Sequence, residues 1–252
     1  DPSFYYKMKL KEVNTFLVVW TTMPFTLVTD ELIGVNPEAD YAYVSIENEM
    51  WIVGYDRLNG LMNELEIQNF TVQKVIKGIE LDGKRYLHPL LAMIPGLKEL
   101  SDDKKVHFVV AENFVDASTG SGIVHLSPAN GQEDFDIAVK RNVPIFVPIN
   151  DKVEFTEKAG IFSGKFVRDS DLLVVEKMKE AGAYLKLGRI KHQYPTCWRS
   201  NHKVVWLARR EYFYMIDKLD NKPMNAVSNV NFFFESPKNR FVEIIKEQVL
   251  LC

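Results

Sequence analysis

Cysteine is nearly absent: Cys197 and Cys252 are the two in 252 residues, and Cys252 is the last of them. Two distant thiols make no disulfide framework, and such sparing use fits a reducing compartment, so a cytoplasmic location is expected. Long apolar runs are missing too. The longest uncharged one falls far short of the ~20 residues that a membrane span needs, so no membrane partner is expected. No positive leader precedes an apolar segment at the N-terminus, which leaves secretion without support. Nor does positive charge dominate, since 31 Lys and Arg face 34 Asp and Glu for a net charge of −3. Domains that live on phosphate contacts are usually basic, so any contact with RNA has to come from a local patch. Internal repeats and Gly/Ser linkers are absent as well.

What is present is the balance of an ordinary globular protein, 46% hydrophobic and 26% charged. The length suits one large domain or two small ones. A chain of this size buries about three quarters of its unfolded surface and needs no disulfide or metal staple. It begins at Asp1 rather than Met and reads as a piece of something longer.

Hydrophobic patterning places the elements. The β-branched run over 15–22 is a buried strand stopped by Pro24. Alternating runs at 41–46 and 49–53, around Glu47-Asn48, predict a hairpin, and 57–66 a short helix. A further pair of strands is expected at 107–110 and 122–126, and the prolines of 143–149 impose an extended segment. Helices are predicted over 133–141, with acids at its start, and over 171–181. The second has Asp169 and Ser170 as candidate N-caps, Leu172, Val175 and Met178 on its buried face, and Gly182 as its stop. The expectation is an α+β, β-rich fold, a β-barrel-like core with a few packed helices, closure being one way to remove exposed edges. Between Lys186 and Arg210 seven Lys and Arg occur without one acid, a stretch that suits phosphate or a solvated surface equally. This shift in composition predicts a boundary at 185/186.

Three groups of residues carry chemistry. Trp20-Thr-Thr-Met-Pro-Phe-Thr26 ends a strand in hydroxyls beside a rigid turn, where Thr21, Thr22 and Thr26 can hold a carbonyl, an amine or a water. Threonine also simply favours strands. Gly120-Ser-Gly-Ile-Val-His-Leu-Ser-Pro-Ala-Asn-Gly-Gln-Glu-Asp134 carries His125 to a strand end and Asp134 to a helix start. That arrangement fits an acid–base pair, a metal site with Asp136, an amine-binding pocket, or a buried histidine beside a helix-capping acid. Gly120-x-Gly122 is no dinucleotide fingerprint, because it precedes a strand instead of opening a helix. The third group, His192-x4-Cys197-x4-His202, lacks a fourth ligand and any common zinc spacing, so no metal is assigned.

Taken in order, these segments resemble the editing (CP1) insertion of isoleucyl-tRNA synthetases, of the class I aminoacyl-tRNA synthetase family. The family's Trp-Thr-Thr-Thr-Pro-Trp-Thr is similar to residues 20–26, with Met23 and Phe25 as departures. Its Gly-Thr-Gly-x-Val-His-x-x-Pro-x-x-Gly-x-x-Asp is matched from Gly120 to Asp134. Its Tyr-Pro-x-Cys-Trp-Arg and Trp-Phe segments resemble Tyr194–Arg199 and Glu211-Tyr-Phe213. Valyl and leucyl enzymes carry related insertions, but the Thr-Arg-Pro-Glu-Thr usual in the valyl enzymes is not here.

The resemblance implies an editing domain over 8–185 and a basic return segment over 186–252 leading back to the parent's aminoacylation domain. It implies hydrolysis of valine wrongly esterified to the 3′ end of tRNA(Ile). In that reading Thr21, Thr22, Thr26 and Asp134 form the catalytic site. His125 is the wall that limits side-chain size, Asp134 pairs with the α-ammonium, and Trp20 lies near the terminal adenosine. The basic stretch adds Arg189 and Lys191 as tRNA-binding residues. The segment itself is expected to need no cofactor, ATP and Mg belonging to the parent enzyme. The alternatives are a tRNA-end-binding module whose hydrolysis is weak or lost because of Met23, and the editing domain of a related valyl or leucyl enzyme.

Overall fold

The computed structural model describes residues 1–11, 13–102, 104–191, 193–212, 214–215, 222–247 and 250–251. The chain divides into two compact units, Asp1–Ala208 and Arg209–Cys252. In the first unit the strands and helices run β1 (Pro2–Leu10), β2 (Thr15–Thr21), β3 (Leu32–Val35), β4 (Asp40–Ile46), β5 (Glu49–Gly54), α1 (Leu58–Glu64) and β6 (Thr71–Lys77). They continue with β7 (Tyr86–Leu87), α2 (Pro95–Asp102), β8 (Phe108–Ala111), β9 (Val124–Leu126), α3 (Gln132–Lys140), α4 (Asp171–Glu180) and β10 (Tyr184–Arg189). The second unit holds β11 (Tyr214–Met215), α5 (Lys222–Ser228), α6 (Glu235–Glu247) and β12 (Leu250–Leu251), with β11 antiparallel to β12.

Six strands follow the order β10-β1-β2-β5-β4-β6, with β7 added on β1, in a sheet that curls into a half-barrel. It does not close, because β10 and β6 stand at its two ends. The β6 edge is exposed and carries Lys74 and Lys77, lysine being a usual protection for an open edge, beside the exposed Val72 and Val75. Strand alternation makes this sheet two-faced. Phe4, Tyr6, Met8, Leu17 and Val19 point into the main core. Tyr5, Val18 and Trp51 point the other way, onto Leu58, Leu61 and Met62 of α1. A second, three-stranded sheet has β3 in its centre, parallel to β8 and antiparallel to β9.

Several expectations are corrected. The strands expected at 107–110 and 122–126 are present as Phe108–Ala111 and Val124–Leu126, on either side of β3. On α4 the buried side chains are Val174, Val175 and Met178, whereas Leu172 is 74% exposed. The helix is turned because the Asp171 carboxylate accepts the Phe25 N–H at 2.8 Å, so Leu172, the next residue, faces out. Ser170 takes the N-cap position without a side-chain cap bond. The boundary placed at 185/186 falls inside β10, which is paired with β1, and the division between units follows Ala208.

Candidate active site

Alternation along β2 decides which of its end residues face the site. Thr21 shares the parity of Leu17 and Val19 and lies on the main-core face, while Trp20 shares that of Val18 and lies on the other. After β2 the chain bends at Thr22, half-exposed, and enters a 3-10 turn over Pro24–Thr29. Pro24 suits the first position of that turn, where its missing N–H costs nothing. The Met23 carbonyl accepts the Thr26 hydroxyl at 2.7 Å, and the Met23 N–H donates to Thr21 Oγ1 at 3.1 Å. Met23 therefore holds both threonines through its backbone, and the change from threonine leaves those bonds intact.

β9 brings His125 opposite Ile33 of β3 and delivers its ring between the two threonines. Nε2 lies 3.1 Å from Thr26 Oγ1 and 3.2 Å from Thr21 Oγ1. Burial lowers the His125 pKa from 6.5 to about 3, with His88 adding to the effect, so the ring is neutral at physiological pH. Asp134 sits half-exposed in the first turn of α3 and folds back to accept the Ser127 N–H at 2.8 Å. Gly131 permits this, because a Cβ there would meet Asp134 Oδ2 at 2.7 Å. Desolvation raises the Asp134 pKa from 3.8 to about 6 against the pull of the Ser127 bond.

Residues outside the predicted set lock the two motifs together. Thr29 Oγ1 donates to Asn130 Oδ1 at 2.7 Å, Ser127 Oγ lies 3.1 Å from the Thr29 carbonyl, and Glu31 N–H donates to Leu126 O at 3.1 Å. Their signal was present, since Ser127 and Asn130 fall within the second motif and Thr29 three residues past the first.

Thr21, Thr26 and His125 are thus in direct contact, with Asp134 on the turn that follows His125. Trp20 is not part of that contact: its Nε1–H donates to Ser3 Oγ at 2.9 Å and its ring lies on Gly120. Arg189 and Lys191 lie elsewhere in the unit, lining an open groove of about 500 Å³ with Asp1, Ile190, Tyr194 and Lys203. The groove reaches the threonine turn through Tyr194, whose hydroxyl is 3.6 Å from Met23 Sδ and receives a hydrogen bond from Arg168. Other charges of the basic stretch have acidic neighbours: Lys203 pairs with Asp1, and Lys186 is 3.8 Å from Glu66. Of the third motif, His192 lies outside the described residues. Cys197 N–H donates to the His202 carbonyl at 2.8 Å, a backbone contact. No group of three or more His, Cys, Asp or Glu suited to a metal ion occurs among the described residues. No helix among the described residues is long and apolar enough to cross a membrane.

The half-barrel with its second sheet is a CP1-type editing fold. The crystal structure of GlLeuRS-CP1 matches 76% of this chain and all of its own, at a TM-score of 0.53 and 14% identity. Sequence comparison leads to a particular synthetase. Isoleucine–tRNA ligases of Methanocaldococcus jannaschii and Saccharolobus islandicus are 35% and 36% identical, each over 98% of this chain. That of Thermotoga maritima is 32% identical over the whole of this chain. No protein-family model matches. The chain is homologous over nearly its full length to a segment of the isoleucine–tRNA ligases, and it spans about a quarter of their length.

Proposed function

We propose that this domain hydrolyses the ester of valine mischarged on tRNA(Ile). The observation that carries the reading is His125, neutral and buried, wedged between the Thr21 and Thr26 hydroxyls with Asp134 on the adjoining turn. Valine is one methylene smaller than isoleucine, and a synthetic pocket gains only roughly 1–3 kcal/mol from that group; isoleucyl-tRNA synthetase is itself the standard example of this limit. A second site that admits the smaller side chain and clears it restores accuracy. In this reading His125 is the wall, and Asp134, ionised above pH 6, pairs with the α-ammonium. The threonines hold the ester and the water. An aminoacyl ester is already activated, so orientation of water suffices.

Thr26 gives its proton to the Met23 carbonyl and therefore accepts from His125, which leaves no lone pair on Nε2 to act as a base. A tRNA-holding module with hydrolysis lost through Met23 is less favoured, since the backbone of Met23 does the holding.

The test is His125→Ala. With the wall removed and Asp134 retained, the variant should still deacylate Val-tRNA and should gain activity on correctly charged Ile-tRNA. The ratio of the two rates cancels any shared loss from folding or tRNA binding. A ratio that stays put, or a common loss on both substrates, refutes the assignment.

A further inference from the structure

Behind the site lies a buried acid that the mechanism above does not use. Asp30, at the end of the 3-10 turn, is fully buried. Its Oδ2 accepts the Tyr86 hydroxyl at 3.0 Å, and its Oδ1 has no hydrogen-bond partner among the described residues. His125 mirrors it. Nε2 is engaged by the threonines, and Nδ1 is buried with no partner. These two orphaned atoms face each other at 3.8 Å.

Proton accounting orients both groups. The Thr26 proton is taken by Met23 O, so Nε2 carries hydrogen and Nδ1 holds a lone pair. A carboxylate oxygen opposite that lone pair would set acceptor against acceptor in a dry interior. Among the described residues the groups facing Asp30 are Tyr6, Tyr86, Glu31, His88, His107, His125 and Asp134, and none of these is a lysine or arginine. His88 donates from Nε2 to the Leu27 carbonyl at 3.0 Å and accepts the Leu90 N–H at Nδ1, so it is neutral and offers no counter-charge. His107, 5.3 Å ring to ring beyond His88, is pushed down to about 3 by burial and is neutral too.

We propose that Asp30 is a neutral carboxylic acid whose Oδ1 proton faces His125 Nδ1 and holds the imidazole in its Nε2–H tautomer. Burial without a cation raises its pKa well above 3.8, in the direction that keeps this proton at physiological pH. An approach of about 1 Å turns the contact into a hydrogen bond of ordinary length, and catalytic contacts commonly tighten when substrate binds. Asp30 is then a positioning residue. By holding the wall's tautomer it makes Thr21 and Thr26 share the single Nε2–H as acceptors, and so sets which of their lone pairs and protons remain for the ester and water. This consequence rests on the editing reading, whereas the protonation states do not.

The experiment is nitrogen-15 NMR of histidine-labelled chain between pH 5 and 8, with His125 assigned by His125→Ala, together with the infrared carbonyl band of protonated carboxyl groups. The wild type should show His125 as one neutral tautomer throughout, and a protonated-acid band that Asp30→Asn removes. Asp30→Asn should keep the tautomer, its amide donating to Nδ1 and its carbonyl accepting from Tyr86. Asp30→Ala should lose it to a mixture, and should slow Val-tRNA deacylation in a way that Asp30→Asn does not. A doubly protonated or mixed ring in the wild type overturns the proposal, as does a protonated-acid band that Asp30→Asn leaves unchanged. A pure tautomer surviving in Asp30→Ala overturns the positioning role. If that variant does not fold, the wild-type and Asp30→Asn spectra decide. Neither spectrum depends on substrate, so a failed size-gate ratio leaves them standing, and their failure leaves that ratio standing.

Discussion

Asp134 sits half-exposed in the first turn of α3 with the Ser127 N–H on one oxygen, and desolvation outweighs that bond to raise its pKa to about 6. The folded state then binds this proton more tightly than the unfolded chain does. Its stabilising contribution is present below pH 3.8 and is lost as pH rises through about 6. The proposed function runs the opposite way, because in it only the ionised form of Asp134 would pair with an α-ammonium. Val-tRNA deacylation, as kcat/KM, should therefore climb with an apparent pKa near 6 while this part of the stability declines. Asp134→Asn keeps an acceptor for Ser127 but no charge. It should lower the rate ten- to a hundredfold, about 1.5–3 kcal/mol of charge-assisted bonding, and abolish that limb of the pH profile. Urea melts of the same variant should show the fall in stability between pH 4 and 7 reduced. A variant that retains the wild-type rate and profile removes Asp134 from the site.

At the scale of elements, the strand end and the glycine turn are built on each other. Gly120 has φ +55, and a Cβ there would sit 2.5 Å from the Trp20 ring, while Arg57 Nε–H donates to the Gly120 carbonyl at 3.0 Å. Gly120→Ala thus meets two costs, a left-handed backbone and a clash with an aromatic ring. It should destabilise the fold by roughly 1–3 kcal/mol and shift Trp20 fluorescence, with thermal melting as the check. An unchanged melting temperature would mean that the ring swings aside freely. Legibility in the sequence followed the same physics. β2 is readable from its unbroken β-branched run, the β4–β5 hairpin from its alternation, α3 from the acids of its first turn and α4 from its start and stop residues. β6 was missed because its side chains are nearly all exposed and leave no buried apolar face. β3 was missed because it is four residues long with Gly34 inside it. Thr21, Thr26, His125 and Asp134 were legible as ordered motifs. Asp30 was not, since Thr29-Asp30-Glu31 has the composition of a solvated turn and only the fold buries it.

Across the whole first unit, the basic stretch shows why charge counted along a sequence overstates a binding face. Of its charges, Lys186 and Lys203 have acidic neighbours and Arg199 lies over Trp198, 4.7 Å from the ring centre. Arg189 and Lys191 are exposed and line one groove, which Tyr194 connects to the turn holding Thr21 and Thr26. Under the proposed function a tRNA 3′ end entering the site would carry phosphates past its mouth, and this groove is a basic surface joined to that turn. Arg189→Glu with Lys191→Glu should weaken tRNA binding most at low salt. The slope of log affinity against log salt should fall by about 1 for each phosphate no longer neutralised, so by about 2 for the pair. Lys74→Glu, on β6 at the opposite edge of the sheet, alters net charge by one residue without touching the groove and serves as the control. If the double variant binds with wild-type affinity and slope, the tRNA runs elsewhere. If Lys74→Glu produces the same change per charge, attraction is diffuse, and the groove has no privileged role.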